Sequence, residues 1–231
     1  MLLFSLECSA AAASAAIYRD EKLLGEEFLN VPQTHSVTLL PMAKSLLEHT
    51  GIFPAQIDYY AVSRGPGSFT GLRIGIAAIK GLAFPDDTPC IGVSTPEAIA
   101  YGLLGFEGTV IPMMDARCGQ VYTALFQGKD GRLTRLSEDE ALPLSELKEK
   151  LKSCTGPLWL CGDGAHLGLA AWGEELPVRM APAHLCCQRA SAVGLAAMQH
   201  LGEAVSPAAL VPCYLRPANA MTLAERQHKT E

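Results

Sequence analysis

The stretch SRGPGSFTGLRIGIAAIKGLA, residues 63–83, joins a β-type run at 57–62 to a helical pattern at 68–83 through a Gly65-Pro66-Gly67 turn. Two glycines let a backbone take positive φ or come close to another group, and Pro66 stiffens the turn by fixing its own φ. Ser68 stands where a helix N-cap belongs. A rigid glycine turn that opens a helix can hold an anion; it is equally an ordinary exit from a strand. Strand, turn and helix in that order are the unit of an α/β fold.

The helix carries two stripes. Leu72, Ile76, Ile79 and Ala83 form an apolar core face. Beside them run Gly71, Gly75, Ala78 and Leu82, and this second stripe is nearly bare. Glycine in a helix interior costs roughly 1 kcal/mol relative to alanine, so two on one stripe point to close approach by another backbone. That backbone is either the chain's own sheet or a helix from a partner.

Working outward, residues 2–6, 10–18 and 23–30 read as three strands, with a turn at Glu7-Cys8-Ser9. A helix pattern follows through Val37, Leu40, Ala43 and Leu47 and stops at Gly51, with Pro41 expected to kink it or delay its start. After the 63–83 unit come a strand at 90–93 and a helix to about 103, for which Thr95-Pro96 supplies N-cap and N1 chemistry. The order then restarts: strands at 109–114, 121–126 and 132–136, a helix at 144–151, a strand at 158–161 and a helix at 189–201. Two β-meanders, each continued by α/β units, imply a duplicated α/β architecture, with lobes at 1–104 and 105–231. Both meanders place an acid at the first turn, Glu7 and Asp115.

Bulk composition narrows the function. The chain has 231 residues, 49% of them hydrophobic and only 18% charged, which leaves an apolar surface or a large interface. Eighteen basic against 24 acidic residues give a net charge of −6, which argues against free nucleic-acid binding through a broad basic footprint. No window forms a basic patch, and the segment Arg226-Gln227-His228-Lys229 is short. Eight scattered cysteines without a Cys-x-x-Cys pair fit reduced thiols in the cytoplasm better than disulfides or zinc. Residues 1–15 mimic a signal peptide, but they lack a basic start and Glu7 interrupts the apolar run. No stretch reaches the ~18 apolar residues of a membrane span.

The segment GPGSFTGLRIGIAAIKGLA, at 65–83, resembles the signature of the bacterial TsaB (YeaZ) family of threonylcarbamoyladenosine biosynthesis. HSVTLLPM at 35–42, IGVST at 91–95, MDARCGQVY at 114–122 and VPCYLR at 211–216 follow in the family's order. The resemblance implies a duplicated RNase H-like, actin-like ATPase fold. It also implies a non-catalytic role in making N6-threonylcarbamoyladenosine at position 37 of ANN-decoding tRNAs. The implied partners are the transferase TsaD and the small ATPase TsaE, with tRNA met only within the complex; a homodimer through the same helices is a further expectation.

Carried onto this chain, the partner-binding helices fall at about 36–49 and 68–83. The expected interface residues are Val37, Leu40, Lys44, Leu47, Ser68, Gly71, Leu72, Gly75, Ala78 and Leu82, with a partner helix lying on the bare Gly71/Gly75 stripe. The catalytic relative has a His-x-x-x-His metal pair where this chain has Thr95 and Ile99, so neither a metal nor a catalytic residue is expected. The family's usual Asp-Thr at the first turn is Glu7-Cys8 here. No cofactor is expected beyond weak nucleotide binding in a degenerate cleft, for which the candidates are Glu7, Ser9, Gly65, Gly67 and Gly162. Asp115 and Arg117 read as a ligand pair or as an ion pair across the cleft. A free-standing ATPase, kinase or protease of the same fold is the alternative.

Overall fold

The computed structural model describes residues 1–216; the basic segment at 226–229 lies outside them. The first sheet is a meander of β1 (Leu2–Glu7), β2 (Ala13–Arg19) and β3 (Lys22–Leu29), extended by β4 (Tyr59–Gly65) and β5 (Cys90–Ser94), in the order β3-β2-β1-β4-β5. The meander is antiparallel, and β4 and β5 run parallel to β1. Parallel neighbours need crossovers, which α1 (His35–Thr50) and α2 (Phe69–Ala83) supply; α3 (Thr95–Tyr101) follows β5.

The second sheet repeats this plan. It begins with β6 (Gly108–Asp115), β7 (Gln120–Thr123), β8 (Phe126–Lys129), β9 (Arg132–Arg135) and β10 (Glu140–Pro143). Then come α4 (Leu144–Leu151), β11 (Leu158–Cys161), α5 (Ala165–Trp172), β12 (Val178–Met180) and α6 (Ala190–Ala197). The order is β10-β7-β6-β11-β12, with β8 joining β6 to β9. β7 and β8 are one strand in register: Met113 faces Thr123 and Val110 faces Phe126. The interruption falls opposite Pro112, which has no N–H to give. Leu125 turns its own N–H to Ser137 Oγ (3.0 Å) and accepts from Leu136 N–H (2.7 Å) instead. Counted this way, both sheets have the same strand order and the same interleaved helices: the fold is a duplicated RNase H-like one.

The third helices are exchanged. α6, although it comes from the second half of the chain, packs on β1, β2 and β4 of the first sheet, where Ala190, Val193, Ala196 and Ala197 meet Leu3, Tyr18, Ala61 and Ile91. α3 packs on β6, where Ile99, Ala100 and Leu103 meet Val110, Met114 and Phe126. α1 and α2 cover the other face of the first sheet, with Leu39, Leu46 and Ile79 over Phe4, Leu6 and Val62. Polar bonds fasten α6 in place: Ser5 Oγ donates to the Ala190 carbonyl (2.7 Å), and Ala190 N–H donates to Ser14 Oγ (2.7 Å).

Several local expectations are corrected. Ser94, not Thr95, caps α3, its Oγ accepting from Glu97 N–H at 3.2 Å; Thr95 is the first helical residue and is buried. α1 starts at His35 and includes Pro41. The proline sits on the exposed side beyond Val37, so the carbonyl it leaves unpaired faces water rather than the core. Glu7 is the last residue of β1 rather than part of the turn. β10, α5 and β12 were not anticipated, and α6 is shorter than the 189–201 reading. All eight cysteines are free, with Cys8, Cys90 and Cys161 buried and Cys118 exposed. Among the described residues no helix is long and apolar enough to cross a membrane.

Candidate functional site

Two surfaces gather the expected residues: the cleft between the sheets and the outer face of α1 and α2. The cleft holds a cavity of about 460 Å³ bounded by Ser9, Gly67, Ser68, Asp115, Arg117 and Asp163. Of the five nucleotide candidates only Ser9 and Gly67 line it.

Glu7 is fully buried. Its Oε1 accepts from Ser9 N–H at 2.5 Å and its Oε2 from Ser63 Oγ. Burial pushes its carboxyl above the usual range, against the opposing pull of the Ser63 hydrogen bond. A carboxylate engaged in this way ties the ends of β1 and β4 together and does not reach into the cleft.

The glycine turn is filled by the chain itself. Gly65 has φ of 124°, and a β-carbon there would stand 2.2 Å from the Cys213 carbonyl oxygen. Ser68 N–H donates to the Ser9 carbonyl at 2.7 Å and Cys213 N–H to the Arg64 carbonyl at 2.7 Å. The Gly65-Pro66 peptide is cis. Gly162 lies against the Met113 carbonyl, 2.3 Å from where its β-carbon would be. Gly65 and Gly162 are thus required by backbone packing within the fold. Gly65 opens no cradle for a phosphate.

Across the cleft, Asp115 Oδ1 accepts from Arg117 N–H at 2.8 Å, while its Oδ2 is 3.7 Å from an Arg117 guanidinium that is 87% exposed. A loose exposed pair of this kind adds little to stability. Asp163 is held by Gln188 Nε2 at 2.6 Å, and its carboxyl is raised by burial, with Asp115 nearby adding to the rise. Thr95 and Ile99, the positions of the relative's metal pair, are 0% and 3% exposed and belong to the core.

The α1–α2 expectations divide. Val37 (63%), Leu40 (52%) and Lys44 are exposed, as is Ser68, whose Oγ caps α2 by accepting from Gly71 N–H at 3.3 Å. Leu82 is half-buried and Leu47 nearly closed off. Gly71, Leu72, Gly75 and Ala78, by contrast, are buried within the chain. A β-carbon on Gly71 would meet the Cys8 carbonyl oxygen, and one on Gly75 would meet Cys8 Sγ at 2.5 Å. The bare stripe therefore accommodates the segment after β1, not a partner helix.

The exposed side of the two helices is a separate feature. A groove of about 710 Å³ lies along α1 and the segment after it, bounded by Leu40, Ala43, Leu47, Ile52 and Phe53 and by Leu82 of α2, with Lys44 and Glu48 also in its lining. Phe53 and Phe84 are 72% and 77% exposed at the ends of α1 and α2. The sequence reading missed both. Each stands directly before a proline just past a helix end (Phe53-Pro54, Phe84-Pro85).

The comparisons agree on kinship. The family model described as TsaD, tRNA N6-adenosine threonylcarbamoyltransferase, matches residues 29–154. The chain is 31% identical over 220 residues to the Bacillus subtilis tRNA threonylcarbamoyladenosine biosynthesis protein TsaB, covering 95% of this chain and 96% of that one. It is 34% identical over 167 residues to the Escherichia coli protein of the same name, covering 71% and 72%. YeaZ from Pseudomonas aeruginosa superposes with a TM-score of 0.77 at 27% identity, over 93% of this chain and 99% of that one. Shared length, sequence and duplicated fold together place this chain in the TsaB (YeaZ) family of tRNA threonylcarbamoyladenosine biosynthesis proteins.

Proposed function

We propose that the chain is the non-catalytic subunit of a tRNA N6-adenosine threonylcarbamoyltransferase complex, docking a TsaD-type transferase through the outer face of α1 and α2. The observation that carries this reading is the groove along α1, in whose lining Leu40 and Phe53 are left in water beside Ala43, Leu47, Ile52 and Leu82. Large apolar side chains gathered beside a groove mark an interaction surface. Binding would favour the competent state of the partner, so that activation is a coupling between subunits and not a contribution of catalytic groups. A TsaE-type ATPase and the tRNA would join that complex, and a homodimer through the same face would compete with it.

Two features speak against a free-standing ATPase, kinase or protease. Glu7 has both oxygens committed to Ser9 and Ser63. Thr95 and Ile99 replace a metal-binding pair and point into the core. The reading is tested by mixing the purified chain with the TsaD-type protein of the same organism under size-exclusion chromatography with light scattering. A 1:1 complex that restores threonylcarbamoyl transfer supports it. Absence of any complex, with nucleotide and the ATPase present, returns the free-standing enzyme to first place.

A further inference from the structure

Residues 211–216 cross the mouth of the cleft as a strap. Cys213 is bonded to Arg64 beside β4, while Arg216 Nη1 donates to the Ala116 carbonyl at 2.9 Å beyond β6. Under the strap lies a second, smaller cavity of about 210 Å³. Among the described residues its lining joins two arginines, Arg117 and Arg216, to three aromatic residues, Phe69, Tyr122 and Tyr214, and includes no carboxylate. Asp115 accepts from the Arg117 N–H and stands 3.7 Å from its guanidinium.

The cluster is held in place. Tyr214 stacks on Phe69 with centroids 4.8 Å apart, Arg73 covers Phe69 at 3.9 Å, and Arg73 Nε donates to the Tyr214 hydroxyl at 3.1 Å. Arg117, with a positive φ of 66°, leaves its side chain in water. In a chain with six more acids than bases, two arginines and three rings around one cavity whose described lining has no carboxylate are a local reversal of the overall charge.

We propose that this cavity is a contact for single-stranded RNA, with a backbone phosphate between Arg117 and Arg216 and a base against Tyr122 or Tyr214. The inference rests on the tRNA-modification reading above. Guanidinium groups fit phosphate oxygens in pairs, and an aromatic face accepts an unstacked base whatever its sequence. RNA is favoured over an acidic peptide because rings and cations share one cavity.

The test is fluorescence anisotropy with a labelled anticodon stem-loop RNA of an ANN-decoding tRNA, measured on the full chain alone and on its complex with the TsaD-type partner. Arg117→Glu should weaken RNA binding by roughly tenfold at low salt and flatten the slope of log affinity against log salt by about 0.7. Arg132→Glu, an equal charge change at an exposed arginine of β9, should do neither. Size-exclusion of each variant with the partner is run separately, so a failed subunit reading is seen as a missing complex. An Arg117 effect on the chain alone upholds the RNA contact even then. Equal effects of the two substitutions overturn the proposal. Competition by poly-L-glutamate as effective as by unlabelled RNA also overturns it, in favour of an acidic peptide.

Discussion

A β-carbon on Gly71 would stand 2.1 Å from the carbonyl oxygen of Cys8, closer than any side-chain carbon can sit to a backbone oxygen. Helix α2 rests directly on the segment that leaves β1, with Cys8 Sγ donating to the Gly71 carbonyl at 3.1 Å. Alanine has the better helix propensity by roughly 1 kcal/mol, so Gly71→Ala would stabilise an open helix face. Against the Cys8 backbone it should instead destabilise by about 1–3 kcal/mol. Gly81, whose β-carbon would meet nothing within 4 Å, is the control: Gly81→Ala should stabilise by about 0.4–1 kcal/mol. Urea midpoints of the two variants check this, and a stabilised Gly71→Ala would contradict the packing.

The docking face can be probed without touching the core. Leu40 is 52% exposed, so Leu40→Glu should change stability by no more than about 0.5 kcal/mol. The same charge placed in an apolar groove should abolish the complex with the transferase. Calorimetric titration of a variant with an unchanged melting temperature decides it; retained affinity would move the interface elsewhere.

Glu7 gives a prediction with a definite sign. Its folded-state carboxyl is raised by burial, opposed by the hydrogen bonds from Ser63 and Ser9. A raised carboxyl makes the protein gain stability as pH falls through the folded-state value toward 4.5, the ordinary value for glutamate. Ionising the buried carboxyl above that window is a cost. Glu7→Gln keeps an acceptor for Ser9 N–H and offers Ser63 a donor, so its melting temperature should exceed wild type at pH 7. The difference should shrink as the pH is lowered to about 4.5.

His200 has the opposite linkage. Burial lowers its pKa, but hydrogen bonds from Nε2 to Glu97 (2.9 Å) and from Nδ1 to Glu203 (3.0 Å) outweigh that and raise it above 6.5. A raised histidine contributes fully below 6.5, and the contribution is lost as pH rises through the higher folded value. Glu97 also takes Arg135 at 3.1 Å, so this cluster joins α3 to β9 and to the end of α6. Thermal stability should fall with rising pH over that window in wild type. It should be flatter in His200→Gln.

Much of the fold could be read from local chemistry. The stretch 63–83 placed β4, the glycine turn and α2, and the second meander announced the duplication. β10 and β12, of four and three residues, escaped the sequence reading. α5 escaped because AHLGLAAW is apolar around most of its circumference and shows no clear face. The exchange of α3 and α6 left no local mark at all, since both are short alanine-rich helices and only the tertiary arrangement says which sheet each covers. At the site, the glycine stripe correctly signalled close backbone approach. Which backbone approaches depends on contacts between residues 63 positions apart, and there the chain's own Cys8 segment takes the place expected for a partner helix. Glu7 was legible as a departure at the first turn, but its enclosure by Ser63 was not.

The exchanged helices also set a timetable for synthesis. When residues 1–104 leave the ribosome, Leu3, Tyr18, Ala61 and Ile91 lie on a sheet face whose cover, α6, has yet to be made. α3 meanwhile waits for β6. The nascent first half therefore carries an open hydrophobic surface until residue 197 has emerged, and neither half cut at 104 should persist as a monomer on its own.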